Sequence, residues 1–272
     1  MEPEVYLRHI ENEEAHWWFK ARRAIIYSII KKNINFENKK INILDFGAGS
    51  GTNIGMLNKF GYVHVYEKDE KTSRFLKEKF KKYENIKIIQ KPNNNNKEFF
   101  DLILVADVIE HVEDDMAILQ YLSELLNKNG QILITVPAFD FLFSNKDKVL
   151  RHYRRYTKKN IKKVISKYFN ITKISYYNFF LFIPIAISII CLKIFRVSFI
   201  DYVEKKPNII LNSILFQIFN SEKFLLNFLN FPFGISLIAL ANLFPTLLYA
   251  VTFLSANVYL RSQKLFQSLI MQ

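Results

Sequence analysis

Short apolar runs closed by turn residues, with polar stretches of helical length between them, set the pattern of the first two-thirds of the chain. Ile41–Phe46 (INILDF) stops at glycines and leads into a helix-length stretch at 51–60. Residues 62–67 (YVHVYE) form the second strand candidate, and 70–83 a charged, amphipathic helix. Residues 86–90, 101–106 and 131–136 continue the series, with a helix at 116–126 between the last two. Runs this short, bounded by turn residues, suit strands buried on both faces. Their alternation with helices predicts a doubly wound, mostly parallel α/β sheet. An amphipathic helix at 15–31 precedes the sheet and another at 158–168 follows it, while the asparagine run 93–96 reads as a solvated loop.

Beyond residue 178 the pattern changes. Residues 1–178 carry 53 of the 63 Asp, Glu, Lys and Arg residues, whereas 179–272 carry 10 of them and 14 of the 26 Phe. Residues 179–192 are fourteen uncharged positions containing Pro184, too short to span a bilayer and suited to docking on one. Residues 224–260 hold no charge over thirty-seven positions, broken by Pro232, Gly234 and Pro245. Within them 235–240 reads as a last strand, and 243–260 as an eighteen-residue candidate membrane helix. The expected organisation is a catalytic domain with an N-terminal helical cap at 1–178, an apolar insertion with the last strand at 179–242, and a hydrophobic tail at 243–272.

A net charge of +13 asks for an acidic partner, either an anionic membrane face or a nucleic-acid backbone. One cysteine, Cys191, excludes an internal disulfide and a CxxC redox pair. The five histidines show no HxxxH spacing, so no metal is expected. The acidic start MEPEVYLRHIENEE is unlike a secretory signal, which predicts a cytoplasmic protein held at the inner face of the membrane.

The strongest chemical signal is Asp45-Phe46-Gly47-Ala48-Gly49-Ser50-Gly51 at a strand end and helix start. Glycines there let a ligand approach the backbone, and free N–H groups favour its electron-rich end. A dinucleotide fingerprint needs glycine at 52, where this chain has Thr52, so the spacing disfavours NAD. Glu67 closes the second strand twenty residues after Gly47, where a carboxylate can accept both ribose hydroxyls of an adenosyl group; Asp69 replaces it if the strand ends later.

DFGAGSG, Glu67, FDLILVADVIEHVED (100–114) and NGQILITVPA (129–138) together resemble the class I S-adenosylmethionine-dependent methyltransferases, in the branch with the quinone-biosynthesis C-methyltransferases. A narrower likeness is to bacterial members with HWWF (16–19) before the sheet and RHYRRYT (151–157) after the fifth strand. The resemblance implies a seven-stranded Rossmann-like sheet with S-adenosylmethionine as cofactor. It implies that Asp45, Gly47, Ala48, Gly49 and Gly51 surround the methionine end, that Glu67 holds the ribose, and that Asp107 faces the methionine amine or the acceptor. Where the family offers an acid to the adenine, this chain reads Gln90-Lys91-Pro92.

Methyl transfer needs in-line alignment and a nucleophile in the right protonation state. Asp107, His111 and His152 are the candidates for proton removal. Arg154, Arg155 and Tyr156 suit recognition of an anionic acceptor, since guanidinium forks grip phosphate in two-point contact. Trp17 and Trp18 suit either a core or a lid over the cofactor. The absence of NPPY and DPPY argues against methylation of adenine or glutamine amino groups, and the apolar surroundings of Cys191 disfavour a thiolate nucleophile. The favoured function is methylation of a membrane-associated acceptor, lipid-linked, polyprenyl-phosphate or quinone-type, with a small-molecule acceptor included. An RNA methyltransferase and a non-catalytic membrane adaptor on the same fold are the alternatives.

Overall fold

The computed structural model describes residues 14–34, 39–92, 99–195 and 207–244. Seven strands form one sheet: β1 (Ile41–Phe46), β2 (Gly61–Tyr66), β3 (Ile86–Ile89), β4 (Phe100–Ala106), β5 (Leu126–Pro137), β6 (Phe169–Tyr177) and β7 (Ser236–Leu243). Their order is β3-β2-β1-β4-β5-β7-β6. The first five are parallel, and β7 runs antiparallel to both β5 and β6. Ile43, Leu44, Leu102, Ile103, Leu104, Ile132 and Leu133 are buried, as strands covered on both faces require. The chain winds outward from β1 to β3 and then from β4 to β5, so the carboxyl ends of β1 and β4 flank a topological switch point, where such sheets bind ligands.

The helices follow their caps. Helix α1 (Trp17–Asn33) starts where the His16 ring accepts from the Trp18 N–H, and it buries Ala21, Ile25, Ile26, Ile29 and Ile30 at helical spacing. A short α2 (Ile54–Leu57) replaces the longer helix expected at 51–60, because positive φ at Gly47, Gly49 and Gly51 keeps the preceding loop non-helical. Asp69 caps α3 (Glu70–Phe80), Asp114 caps α4 (Asp115–Leu125), and Ser144 and Asp147 form a capping box on α5 (Asn145–Val149). Thr157 caps α6 (Lys158–Ile165).

The apolar C-terminal part divides between core and surface. The strand expected at 235–240 is β7, which lies between β5 and β6, so its lack of charge reflects burial on both faces. β6, whose Asn170, Thr172 and Lys173 interrupt its apolar pattern, was not legible as a strand. The docking segment at 179–192 is helix α7 (Phe182–Ile194). A further helix, α8 (Ile209–Leu225), lies along α1, with the Trp17 N–H donating to Asn212 Oδ1 at 2.9 Å. The candidate membrane helix at 243–260 begins inside β7 at Leu243, and from 245 onward lies outside the described residues, as does the asparagine run. Among the described residues no helix is long and apolar enough to cross a membrane.

Candidate active site

The loop leaving β1 is built by its glycines. A Cβ on Gly47 would stand 2.7 Å from Val108 Cγ2, and one on Gly51 2.6 Å from Leu76 Cδ2, so both need hydrogen there besides their positive φ. At Gly49 a Cβ would meet nothing within 4 Å, which leaves the loop open to a ligand. Glu67, the residue after β2, accepts the Gly49 N–H at 2.8 Å and the Asp69 N–H at 3.0 Å. Asp69 instead caps α3, so of the two candidate acids Glu67 is the one turned toward the glycine loop.

Behind the loop, Asp45 is 1% exposed and its Oδ2 has no hydrogen-bond partner. Burial, opposed by the Arg22 charge and reinforced by Glu67, pushes its carboxyl up to about 7. Asp107, one residue past β4, adopts a φ of 56°, a left-handed conformation uncommon outside glycine. Its carboxylate is held by Arg22 of α1 and by Thr135 Oγ1 of β5, the latter at 2.9 Å. The Tyr177 phenol is fully buried nearby; burial and the Asp107 charge hold it protonated far above its usual range. Arg22, Thr135 and Tyr177 carried no sequence signal, because they come from three elements that only the sheet brings together.

His111 follows Asp107 in a 3₁₀ turn, Ile109–His111, and its ring meets that of His152 edge to face at 4.5 Å. Burial and the neighbouring His152 lower its pKa. His152 Nδ1 lies 2.9 Å from Asp147 Oδ1. Thus the three candidate acid–base residues, 107, 111 and 152, converge on one end of the sheet.

The basic cluster takes a different role from the one its composition implies. Arg155 gives Nε to Asp147 Oδ1 at 2.8 Å, one terminal nitrogen to Asp147 Oδ2 at 3.1 Å and the other to the Ala138 carbonyl at 3.2 Å. Burial opposes ionisation of Asp147, but the His152 and Arg155 hydrogen bonds overcome it and hold the carboxyl well below its usual range. Arg154 donates to the Glu113 carbonyl at 2.6 Å and pairs with Asp115 at 3.2 Å. The buried Tyr156 hydroxyl donates to Asp115 at 2.8 Å. The fork expected to grip an acceptor therefore grips the protein: Arg155 fastens the loop after β5, and Arg154 and Tyr156 fasten it to the start of α4. Trp17 is buried, and with Trp18 packs on Phe219 of α8, at ring distances of 6.0 and 5.3 Å. That is the core arrangement of the two considered.

Residues 17–177 match the methyltransferase domain family. No curated protein sequence matches the chain. Among solved structures, the fold is similar to that of the PH0226 protein of Pyrococcus horikoshii OT3, at 13% identity over 79% of this chain and 86% of that one, with a TM-score of 0.50. It is also similar to Haemonchus contortus phosphoethanolamine N-methyltransferase 2 in complex with S-adenosylmethionine, at 15% identity over 80% of this chain and 51% of that one, with a TM-score of 0.51. The CMeT domain of the citrinin polyketide synthase has a TM-score of 0.50, at 12% identity over 78% of this chain and 49% of that one. With the glycine loop at the carboxyl end of β1 and an acid closing β2, the chain belongs to the S-adenosylmethionine-dependent methyltransferases.

Proposed function

We propose that this methyltransferase acts on a membrane-associated acceptor of lipid-linked, polyprenyl-phosphate or quinone type. The observation that carries the reading is the apolar surface of the two C-terminal helices. On α7, Ile183, Ile187, Ile190 and Ile194 are exposed at helical spacing; on α8, Ile210, Ile214 and Ile218 are. Ile209 and Phe228 are each more than 80% exposed. Large apolar side chains left open in such numbers mark an interaction surface. Cations border it: Lys20, Lys223 and Lys32 stand 4.7, 4.9 and 3.8 Å from the ring centres of Phe216, Phe224 and Phe228. A crevice of about 460 Å³ between α1, α2 and α8 is lined by Arg23, Lys31, Lys59 and Lys223, with no carboxylate among its lining residues. Apolar side chains flanked by lysines suit insertion at an anionic lipid surface.

The site residues fit the cofactor: an open glycine loop, an acid on that loop's N–H, and a buried carboxylate oxygen without a partner. Asp45, Gly47, Ala48, Gly49 and Gly51 would hold its methionine end, Glu67 its ribose. S-adenosylmethionine supplies a methyl group on a sulfonium, which accepts an electron pair and departs as a neutral thioether. The protein's own part is to align the acceptor, and, for a hydroxyl acceptor, to take its proton at His111, His152 or Asp107.

The test has two arms. The full chain is sedimented with vesicles of phosphatidylglycerol and of phosphatidylcholine, and lipid extracts are treated with methyl-labelled cofactor and examined by mass spectrometry. Recovery with the anionic vesicles and label in a lipid are the expected results. Label in RNA, with no recovery on vesicles, would overturn the reading.

A further inference from the structure

We infer that Glu110, His111 and His152 form a binding site for one divalent transition-metal ion beside the reacting end of the sheet. Among the described residues these three bring one ligand atom each within 4.8 Å of one another. Displacements of roughly an ångström would bring all three to the bond lengths of ~2.0–2.2 Å that zinc makes with imidazole and carboxylate. Histidine spacing along the sequence could not reveal the site, because its two imidazoles come from the turn after β4 and the loop after β5.

The independent observation is Glu110. Its side chain is fully buried, and neither carboxylate oxygen has a hydrogen-bond partner. Its backbone carbonyl accepts the Tyr153 N–H at 2.8 Å, which ties the turn after β4 to the loop after β5. An unpaired buried carboxyl costs stability, and a cation at the mouth of the pair of imidazoles removes that cost.

His152 is prepared in the way a metal ligand is. His152 Nδ1 is engaged by Asp147, itself fixed by Arg155 and by the Ser144 N–H and hydroxyl at 2.8 and 3.0 Å. The His111 ring stands edge to face against that of His152 at 4.5 Å. The His152 ring thus has one nitrogen committed to an acceptor and presents the other as a lone pair, the second-sphere pattern that fixes tautomer and orientation. Two imidazoles and one carboxylate favour Zn²⁺, Co²⁺ or Fe²⁺ over Mg²⁺ and Ca²⁺. Three protein ligands leave open positions. With both imidazoles on the metal, Asp107 is the acid–base candidate that remains, and an acceptor oxygen in an open position would lose its proton more readily. That last role rests on the methyltransferase reading; metal binding itself does not.

Co²⁺ alone is titrated into the metal-free full chain and followed by its visible absorption, with S-adenosylhomocysteine affinity measured in parallel. One equivalent should bind, and His111→Ala, at an exposed ring, and His152→Ala should each weaken it by about tenfold or more. Cofactor-product affinity should be unchanged in His111→Ala. Failure of the wild type to bind at millimolar Co²⁺, or binding undiminished in both variants, would overturn the site. If a variant is unfolded, X-ray absorption of the zinc-loaded wild type decides instead. Two imidazoles with oxygen support the site, and a sulfur ligand, which must come from Cys191, sinks it. Loss of labelled product in a chain that still takes up Co²⁺ would count against the acceptor reading and leave this one standing.

Discussion

Asp45 couples folding to pH in a direction opposite to most carboxylates. Its carboxyl is buried with one oxygen unpartnered, and desolvation carries it from 3.8 to about 7. A carboxyl raised in the fold is harder to ionise there than in the unfolded chain, so between pH 4 and 7 the native state holds the extra proton. Stability contributed by this group is therefore full at low pH and lost as pH rises toward 7. Three decades in proton affinity correspond to about 4 kcal/mol, an upper bound because the site can relax. Asp45→Asn replaces the neutral acid with a near-isostere that never ionises. Urea unfolding at pH 4.5 and pH 8 gives the comparison: the variant should exceed wild type by only about 1 kcal/mol at the lower pH and by up to about 4 kcal/mol at the higher. Comparing the two proteins at both pH values cancels the titration of other groups, Glu222 among them. The same substitution should weaken S-adenosylhomocysteine binding at pH 8 by about 1.5–3 kcal/mol, since the cofactor's ammonium is the charge that would favour an ionised Asp45. A stability difference that does not change between pH 4.5 and 8 would refute the reasoning.

Glu67→Ala should weaken S-adenosylhomocysteine by about 1.5–3 kcal/mol in calorimetry, while Asp69→Ala should cost about 1 kcal/mol of stability through the α3 cap and leave affinity unchanged. Arg22→Ala removes the partner of Asp107 and should cost ~3 kcal/mol or more in urea unfolding, with Arg22→Lys recovering part of it. Arg155→Lys keeps the charge but cannot reproduce the two-point contact with Asp147, so its stability should fall by about 1–3 kcal/mol without loss of cofactor affinity. Ile187→Asp and Ile214→Asp, both on exposed helix faces, should change stability by less than about 0.5 kcal/mol yet lower recovery on anionic vesicles.

Local signals fixed the parallel half of the sheet and the cofactor loop. Strands β1, β4 and β5 are buried on both faces along their central apolar runs, β2 buries Val63 and Val65 on one face, and the glycines between Phe46 and Thr52 mark a turn of positive φ. β6 and α8 escaped for opposite reasons. β6 is an edge strand whose polar positions hide its period. In α8, apolar residues lie on the exposed side as well as the buried one, so no helical stripe stands out. The low charge of the C-terminal part has two structural forms that composition alone cannot separate: β7 is apolar where protein covers both its faces, and α7 carries apolar side chains on an exposed face.

The loop after β5 shows how charge in a sequence can mislead about where charge is available. Arg154 and Arg155 look like free donors beside a ligand site, yet Asp115 and Asp147 neutralise them, from the start of α4 and from α5. Neither acid is close enough along the chain for its partner to be chosen by spacing alone. With that cluster internally paired, the excess positive charge of the molecule has to act elsewhere. Lys20, Lys32 and Lys223 lie over rings bordering α8, and Arg23, Lys31 and Lys59 line the crevice beside it. The basic surface and the apolar surface thus meet along α1 and α8, in a crevice whose lining includes Thr52, next to Gly51 of the glycine loop. Rigid pairing inside the 147–156 loop serves a separate end, which is to set His152 against His111 under the carboxyl ends of β4 and β5. An Arg155→Lys chain that kept its stability but lost anionic-vesicle binding would reverse this division.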